Sequence, residues 1–351
     1  MEKIAIDGPK MPIGFLSSLW RGIEIVNANP WILILPVLLD AFLWFGPQLS
    51  VFTLAAPVFD WMASNAAGDP ASLLAVDLLR QSIEHYNLFS LLSFIPMFPP
   101  SVLADTVIPL FSTGVAAGTA SVRTPLGIPV VFPVAGGLEF LLLAMGLPLS
   151  SILIGSAYWV MAGRTTQKAS WPIRESIVRW GRTVAVVGIL CVSFIILIVG
   201  FGFPILFVIW MIGLVSQEIG IILSQMVVFL GGSFLFWMVL FFMFSAHGTV
   251  LFADDIRSAI WNSVNTSRWM YPLSIWMPSL LLMAYFLSTL VWSLAPDDTW
   301  AGALGVLGNA YTSSIVVAAS MVYYIDKRRW IAEVRTYLQS RVADKNPPPA
   351  A

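Results

Sequence analysis

Asp40 stands out among the ionisable residues of this chain. It lies inside the apolar run WILILPVLLDAFLW, ~14 Å along a helix counted from Trp31, near the middle of a hydrocarbon core ~30 Å thick. A carboxylate at that depth costs several kcal/mol unless it is paired or wetted. It therefore lines a path for a small solute or lipid, or is a protonated or hydrogen-bonded acid serving packing, or belongs to a span shifted so that Asp40 nears an interface. The other chemistry-bearing residues are sparse. His85, His247 and Cys191 are scattered, whereas a structural zinc site needs about four ligands held together. Cys191 sits among aliphatic residues and reads as packing. The triplet Gly231-Gly232-Ser233 has the form of an intramembrane serine nucleophile, but His247 is ~20 Å further along the same helix and out of reach as its base. Gly231 and Gly232 are read instead as permitting close helix packing. Gly302, Gly305 and Gly308 invite the same reading, with Asn309, Thr312 and Ser313 as interhelical hydrogen-bonders. Glu139, at the end of an apolar stretch, reads as interfacial. No H-E-x-x-H, P-loop, dinucleotide fingerprint or pair of metal-binding carboxylates occurs. The expectation is a chain without catalytic residues, cofactor or metal.

These residues are carried by an oily chain. Of 351 residues, 58% are hydrophobic and 11% charged, with 15 Trp and 23 Phe, where soluble domains carry about 25% charged residues. The class expected is an all-α integral membrane protein whose first partner is the lipid bilayer. A net charge of −1 gives no field to recruit nucleic acid. Spanning the bilayer takes about 20 apolar helical residues, and six stretches qualify: roughly 30–49, 138–162, 184–212, 220–246, 272–295 and 302–325. No small-residue cleavage site follows the first, so a retained span is expected rather than a secretory signal. Of the 18 Lys and Arg, all but Arg80 and Arg123 fall in the N-terminal lead, the loops 163–183 and 247–271, or the C-terminal tail. Lys and Arg accumulate on the cytoplasmic side, which puts both termini in the cytoplasm. The domain plan is then a lead with an interfacial helix (1–29), a six-span membrane domain (30–325) and a basic tail (326–351).

Three cytoplasmic segments have the pattern of one-faced helices. In DDIRSAIWNSVNTSRW, residues 254–269, Ile256, Ile260 and Val264 form one stripe, and Asp254 or Asp255 suits the N-cap. WPIRESIVRWGRTV, residues 171–184, places Ile173, Ile177, Trp180 and Val184 together; FLSSLWRGIEIV, residues 15–26, does so with Phe15, Leu19, Ile23 and Val26. The first two share the spacing R-x-x-I-x5-T, through Arg174, Ile177 and Thr183, and Arg257, Ile260 and Thr266. This points to three units, each an interfacial helix followed by a membrane hairpin.

The stretch RGIEIVNANPWILILPVLLDAFLW and the DDIRSAIWNSVNTSRW helix resemble a group of bacterial six-span membrane proteins. These include the membrane domain fused to some glycerophosphodiester phosphodiesterases. The resemblance covers the spans and their preceding helices, not the loop between the first two spans. It implies a helical membrane module with no established catalytic residues. Nothing in the chain matches the soluble phosphodiesterase domain, so that activity is not implied.

Residues 50–137 form an insertion too long to be structureless. DPASLLAVDLLRQSIEHYN, residues 69–87, reads as a helix starting at Pro70, with Val76, Leu79, Ile83 and Tyr86 on one side and Asp77, Arg80, Glu84 and Asn87 on the other. LFSLLSFIPMFPP, residues 88–100, is broken by prolines and reads as interfacial or re-entrant. TPLGIPVVFPVAGG, residues 124–137, is held extended by its prolines. Together they are expected to form a helical cap on the outer leaflet. Two functions remain in view: a scaffold or partner-binding subunit, by self-association or with another membrane protein, and a small-solute or lipid permease using Asp40.

Overall fold

The computed structural model describes residues 12–66, 70–84, 86–93, 124–269 and 298–345, with isolated positions between 279 and 294. Among them, four helices are long and apolar enough to cross a membrane: Gly137–Thr166, Ile173–Gly213, Glu218–Phe252 and Gly302–Ser340. A bent pair, Phe15–Ala28 with Pro30–Phe45, adds a fifth if counted as one span. Almost entirely helical, the described residues have the build of an all-α membrane protein. The stretch 272–295 lies mostly outside the described residues, as do His85, Arg123 and 94–112.

The bend in the pair is 96°, and its cause is local. Helix α1 (Phe15–Ala28) stops at Asn29, whose backbone is non-helical (φ −140°, ψ 64°) because it precedes Pro30. The Asn29 side chain donates to the Ile25 carbonyl at 2.9 Å, satisfying one of the orphan acceptors of that helix end. A 3-10 turn, Pro30–Leu33, then leads into α2 (Ile34–Phe45).

The chain divides into two compact units. The first comprises Ile23–Met161 and Met283–Val317. Besides α2 it holds α3 (Phe52–Asn65), α4 (Pro70–Glu84) and most of α5 (Gly137–Thr166). Two short strands, β1 (Gln48–Ser50) and β2 (Val131–Pro133), pair in parallel with Gln48 opposite Val131. The expected helical cap thus also contains a strand pair, because prolines at 129 and 133 hold the backbone around β2 extended. Val51, Leu88 and Val134 form its buried centre, with Leu49, Ile83, Tyr86 and Phe140 packed around them. Asn87 does not face solvent as the wheel implied: it is buried and accepts from the backbone N–H groups of Leu49 and Phe89, each at 3.1 Å. Burial raises the Tyr86 hydroxyl pKa, against a lesser opposing effect of the Ser90 hydrogen bond. Arg80 pairs with Asp60, tying α4 to α3.

The second unit comprises Met1–Gly22, Ala162–Leu282 and Ala318–Ala351. Helix α6 (Ile173–Leu197) passes through a π-helical turn, Ile198–Gly202, into α7 (Phe203–Val215). Pro204 explains that turn: it lacks an N–H and would clash with the carbonyl one turn back in a regular helix. The segment 171–184 is therefore not a separate interfacial helix. It is the first part of a continuous run, Ile173–Gly213, since nothing before Pro204 interrupts the helical hydrogen bonding. The chain then reverses at the single extended residue Ser216 into α8 (Gln217–Phe242). Gly213 and Gly220 make this tight turn possible, as a Cβ on Gly220 would sit 2.7 Å from the Gly213 Cα. A short helix α9 (Ser245–Phe252) and α10 (Ile256–Trp269) follow, and α11 (Gly302–Lys345) ends the described chain.

Helix α10 is separate, as its sequence pattern required, but its inward face is a different one. Ala259, Ser263, Thr266 and Ser267 are buried, while Ile256, Ile260 and Val264 are only partly covered. The Ser263 and Ser267 hydroxyls donate to the Phe241 and Leu240 carbonyls at 2.6 and 3.1 Å. Helix α6 repeats this inversion, with Arg179 and Thr183 buried and Ile173 and Ile177 exposed. Two of the three positions of the R-x-x-I-x5-T spacing share environments: Thr183 and Thr266 are buried and Arg174 and Arg257 exposed, whereas Ile177 is exposed and Ile260 partly covered.

Candidate functional site

In the first unit lies Asp40, the ionisable residue that the sequence singles out. Helix α2 carries it inward, 2% exposed, and the Asn309 side chain of α11 donates to its Oδ2 at 3.4 Å. Next to Asn309 in the helical repeat, Gly308 takes the face of Trp292, whose ring atoms lie 2.4 Å from where a Cβ would be. Gly302 and Gly305 are buried as well. Further along α11, Ser314 accepts a hydrogen bond from Tyr158 of α5 at 2.9 Å. Thr312 bonds back to the Gly308 carbonyl of its own helix at 2.9 Å. Glu139 caps α5, accepting from the Ala135 N–H at 3.2 Å.

Gly231 and Gly232 stand apart from the other glycines singled out. Both are exposed, and nothing lies within 4 Å of a Cβ built on either. Within the chain, among the described residues, they pack against nothing. Ser233 and Cys191 are partly covered.

A second cluster, in the other unit, is built around α9. Its small residues Ala246, Gly248 and Thr249 let it be enclosed, and every residue from Ser245 to Leu251 is buried. A Cβ on Gly248 would meet the Asp254 carboxylate at 2.9 Å, and one on Gly163 would meet Val250 at 2.3 Å. A helix buried this way must find partners for its last carbonyls away from water. Arg179 donates to the Val250 carbonyl, Gln167 to Leu251 at 2.9 Å, and Arg182 to Ala253; the Asp254 N–H returns to Gly248 at 3.2 Å. The two guanidinium groups also meet the negative end of the α9 dipole. Ala253 itself is left-handed (φ 55°, ψ 28°), a conformation that costs a residue with a Cβ roughly 1–2 kcal/mol and that these bonds hold in place.

The charges are engaged in turn. Arg179 lies 4.1 Å over the Trp171 ring and bonds Glu175 at 2.5 and 3.0 Å. Asp254 accepts from Arg328 at 2.6 Å and from Asn262 at 3.1 Å. The Arg328 guanidinium covers the Phe252 ring at 4.2 Å. Asp255, not Asp254, caps α10: Ser258 donates its backbone N–H and its hydroxyl to that carboxylate, and these bonds hold its pKa below the usual range. Thr183 and Thr249 share a hydrogen bond of 2.9 Å.

His247, met in the sequence as an isolated residue, is 1% exposed and fully used. Its Nδ1 faces the Met243 carbonyl at 3.2 Å and its Nε2 the Ser320 hydroxyl at 2.9 Å. A carbonyl only accepts, so Nδ1 carries the proton and Nε2 accepts from Ser320. Phe244 stacks on Tyr324 beside it, with centroids 5.2 Å apart. Lys327 is also buried, and donates to the Tyr323 hydroxyl at 3.1 Å.

Sequence reasoning counted Arg179, Arg182 and Arg328 as topological charges and did not find this cluster. Two signals were available: two arginines one helical turn apart, and a doubled aspartate between two helices. Chemically the arrangement is a lock, in which each charged group holds a backbone or side-chain partner. Among the described residues no group of three or more His, Cys, Asp or Glu could hold a metal ion. No protein-family model, curated protein or solved structure matches the chain.

Proposed function

We propose that this protein is a non-enzymatic membrane module, a scaffold or partner-binding subunit of a complex in the bacterial cytoplasmic membrane. In this reading it has six spans with both termini in the cytoplasm, like the six-span proteins that its spans and their preceding helices resemble. Its partner is another membrane protein or a second copy of itself. The observation that carries the reading is the use made of Asp40, which is 2% exposed and hydrogen-bonded to Asn309. A carboxyl group in that setting joins two helices, and the charged groups around α9 do the same.

The test exploits a difference between two substitutions. Asp40→Asn keeps shape and hydrogen bonding but cannot ionise, and should leave unfolding in detergent nearly unchanged. Asp40→Leu takes this acceptor away from the Asn309 amide and should cost about 1–3 kcal/mol. If Asn proves as damaging as Leu, an ionised carboxylate is required and the scaffold reading fails.

A permease for a small solute or lipid is the second reading. What favours it is the series of buried polar side chains in one unit: Asp40, Asn309, Ser313, Ser314 and Tyr158. Under that reading, Asp40→Asn would abolish flux into reconstituted vesicles while the fold persisted.

A further inference from the structure

The segment ahead of α5 combines two properties that rarely occur together. Its side chains are apolar and outward: Leu126, Ile128, Val130, Val131 and Phe132 are between 48% and 73% exposed. Its backbone, although not helical, is partly paired. Pro125, Pro129 and Pro133 have no N–H to satisfy. Thr124 and Gly127 exchange backbone hydrogen bonds of 2.9 Å in both directions, with Gly127 at a positive φ of 112°. The Leu126 N–H reaches the Thr124 hydroxyl at 3.2 Å. The Val130 carbonyl accepts from Gln48 and the Val134 N–H donates to Ser50, each at 2.9 Å, on either side of the β1–β2 ladder.

In water, five large apolar side chains on one short loop would make an unusually oily patch. Entry into lipid is normally denied to non-helical chain because its N–H and C=O groups are unsatisfied there. Here that objection is lessened, by prolines and by pairing to β1, and the groups left unpaired keep the backbone itself at the level of the headgroups while the side chains reach deeper. No charged residue occurs from 124 to 138. The apolar surface continues into the exposed first turns of α5, through Leu138 and Leu142, and α5 is long and apolar enough to span the membrane. We propose that residues 126–132 enter the bilayer as an extended wedge, with their side chains among the acyl chains of the leaflet in which α5 begins. The inference rests on α5 crossing the membrane, and on neither functional reading above.

Cys191 is the sole cysteine, so a Cys191→Ala background allows nitroxide labels at single sites of the full-length protein. The protein is reconstituted into vesicles of phosphatidylethanolamine and phosphatidylglycerol. Collision of each label with oxygen, which concentrates in lipid, is compared with collision with a water-soluble nickel chelate. Labels at Leu126→Cys and Ile128→Cys should favour oxygen, as a label at Leu142→Cys in α5 does, whereas one at Asp77→Cys on α4 should favour the chelate. Phe132→Cys repeats the measurement if a label at 126 or 128 prevents reconstitution. Chelate accessibility at 126 and 128 equal to that at 77 would place the segment in water and overturn the wedge. Exclusion of both reagents would overturn it too, by showing that protein covers the segment. A water-exposed label at 142 would remove the span and the wedge together.

Discussion

The helix Gly302–Ser340 and the helices Ile173–Gly213 and Glu218–Phe252 are used in opposite ways. The most apolar part of the first is 72% buried, against 11% for each of the other two. The buried helix is the more polar one. It turns Asn309, Ser313, Ser314, Ser320 and Lys327 inward, while α7 and α8 leave Phe203, Phe207, Trp210 and Phe229 outside. In water the order would be reversed, because apolar surface gains by leaving the solvent. In lipid there is no such gain, and polar groups and small residues decide what is enclosed. The same rule acts within single helices. On α1, Ser18, Gly22 and Val26 are buried and Leu16 and Trp20 exposed.

If polar pairing holds the enclosed regions, its removal should have the largest effect. Asp254→Ala leaves Arg328 without its carboxylate at a site where the two side chains are only 13% and 24% exposed. A loss of about 3 kcal/mol is expected, the lower end for a broken buried pair. Adding Arg328→Met should restore part of it. Denaturant unfolding in micelles would measure both, and a single-variant loss near zero would break the comparison.

The next effect is steric. Gly220→Ala forces a methyl group against the Gly213 backbone and should cost roughly 1–3 kcal/mol as the hairpin opens. Smallest is Gly231→Ala on the exposed face of α8, where nothing lies within 4 Å. It should stabilise by roughly 0.5–1 kcal/mol, since Ala loses less freedom in a helix than Gly. Destabilisation there would sharpen the contrast differently, by showing that another chain covers α8.

Much of the fold was legible in periodicity and punctuation. Pro70 opens α4 as expected, Pro30 forces the bend, and Asp40, set in an apolar run, is buried. What was not legible is which face of a one-faced helix turns inward. The wheel grouped Ile173 with Ile177, and the two do share one environment. The direction of that grouping depends on the surroundings, and beside lipid the stripe goes outward. The α9 cluster was hidden for a related reason. Arg179 and Arg182 are recognised by carbonyls, which every residue has, so no partner side chain at a telling spacing advertised them. The continuity of 173–213 was missed because a sequence read in stretches of bilayer length divides a longer helix.

The single-residue reversal at Ser216 bears on how the protein is made. In the proposed topology this turn lies outside, and an outer loop must be dragged through the hydrocarbon once during synthesis, at a cost that grows with every polar group it carries. Here the cargo is little more than Ser216, Gln217 and Glu218, and the two flanking helices can shield one another on the way, with Gly213 already against Gly220. The hairpin can therefore enter the bilayer as one piece while α9, α10 and α11 are still untranslated. The side chains that later close around α9 are then assembled onto a pair of helices already in place.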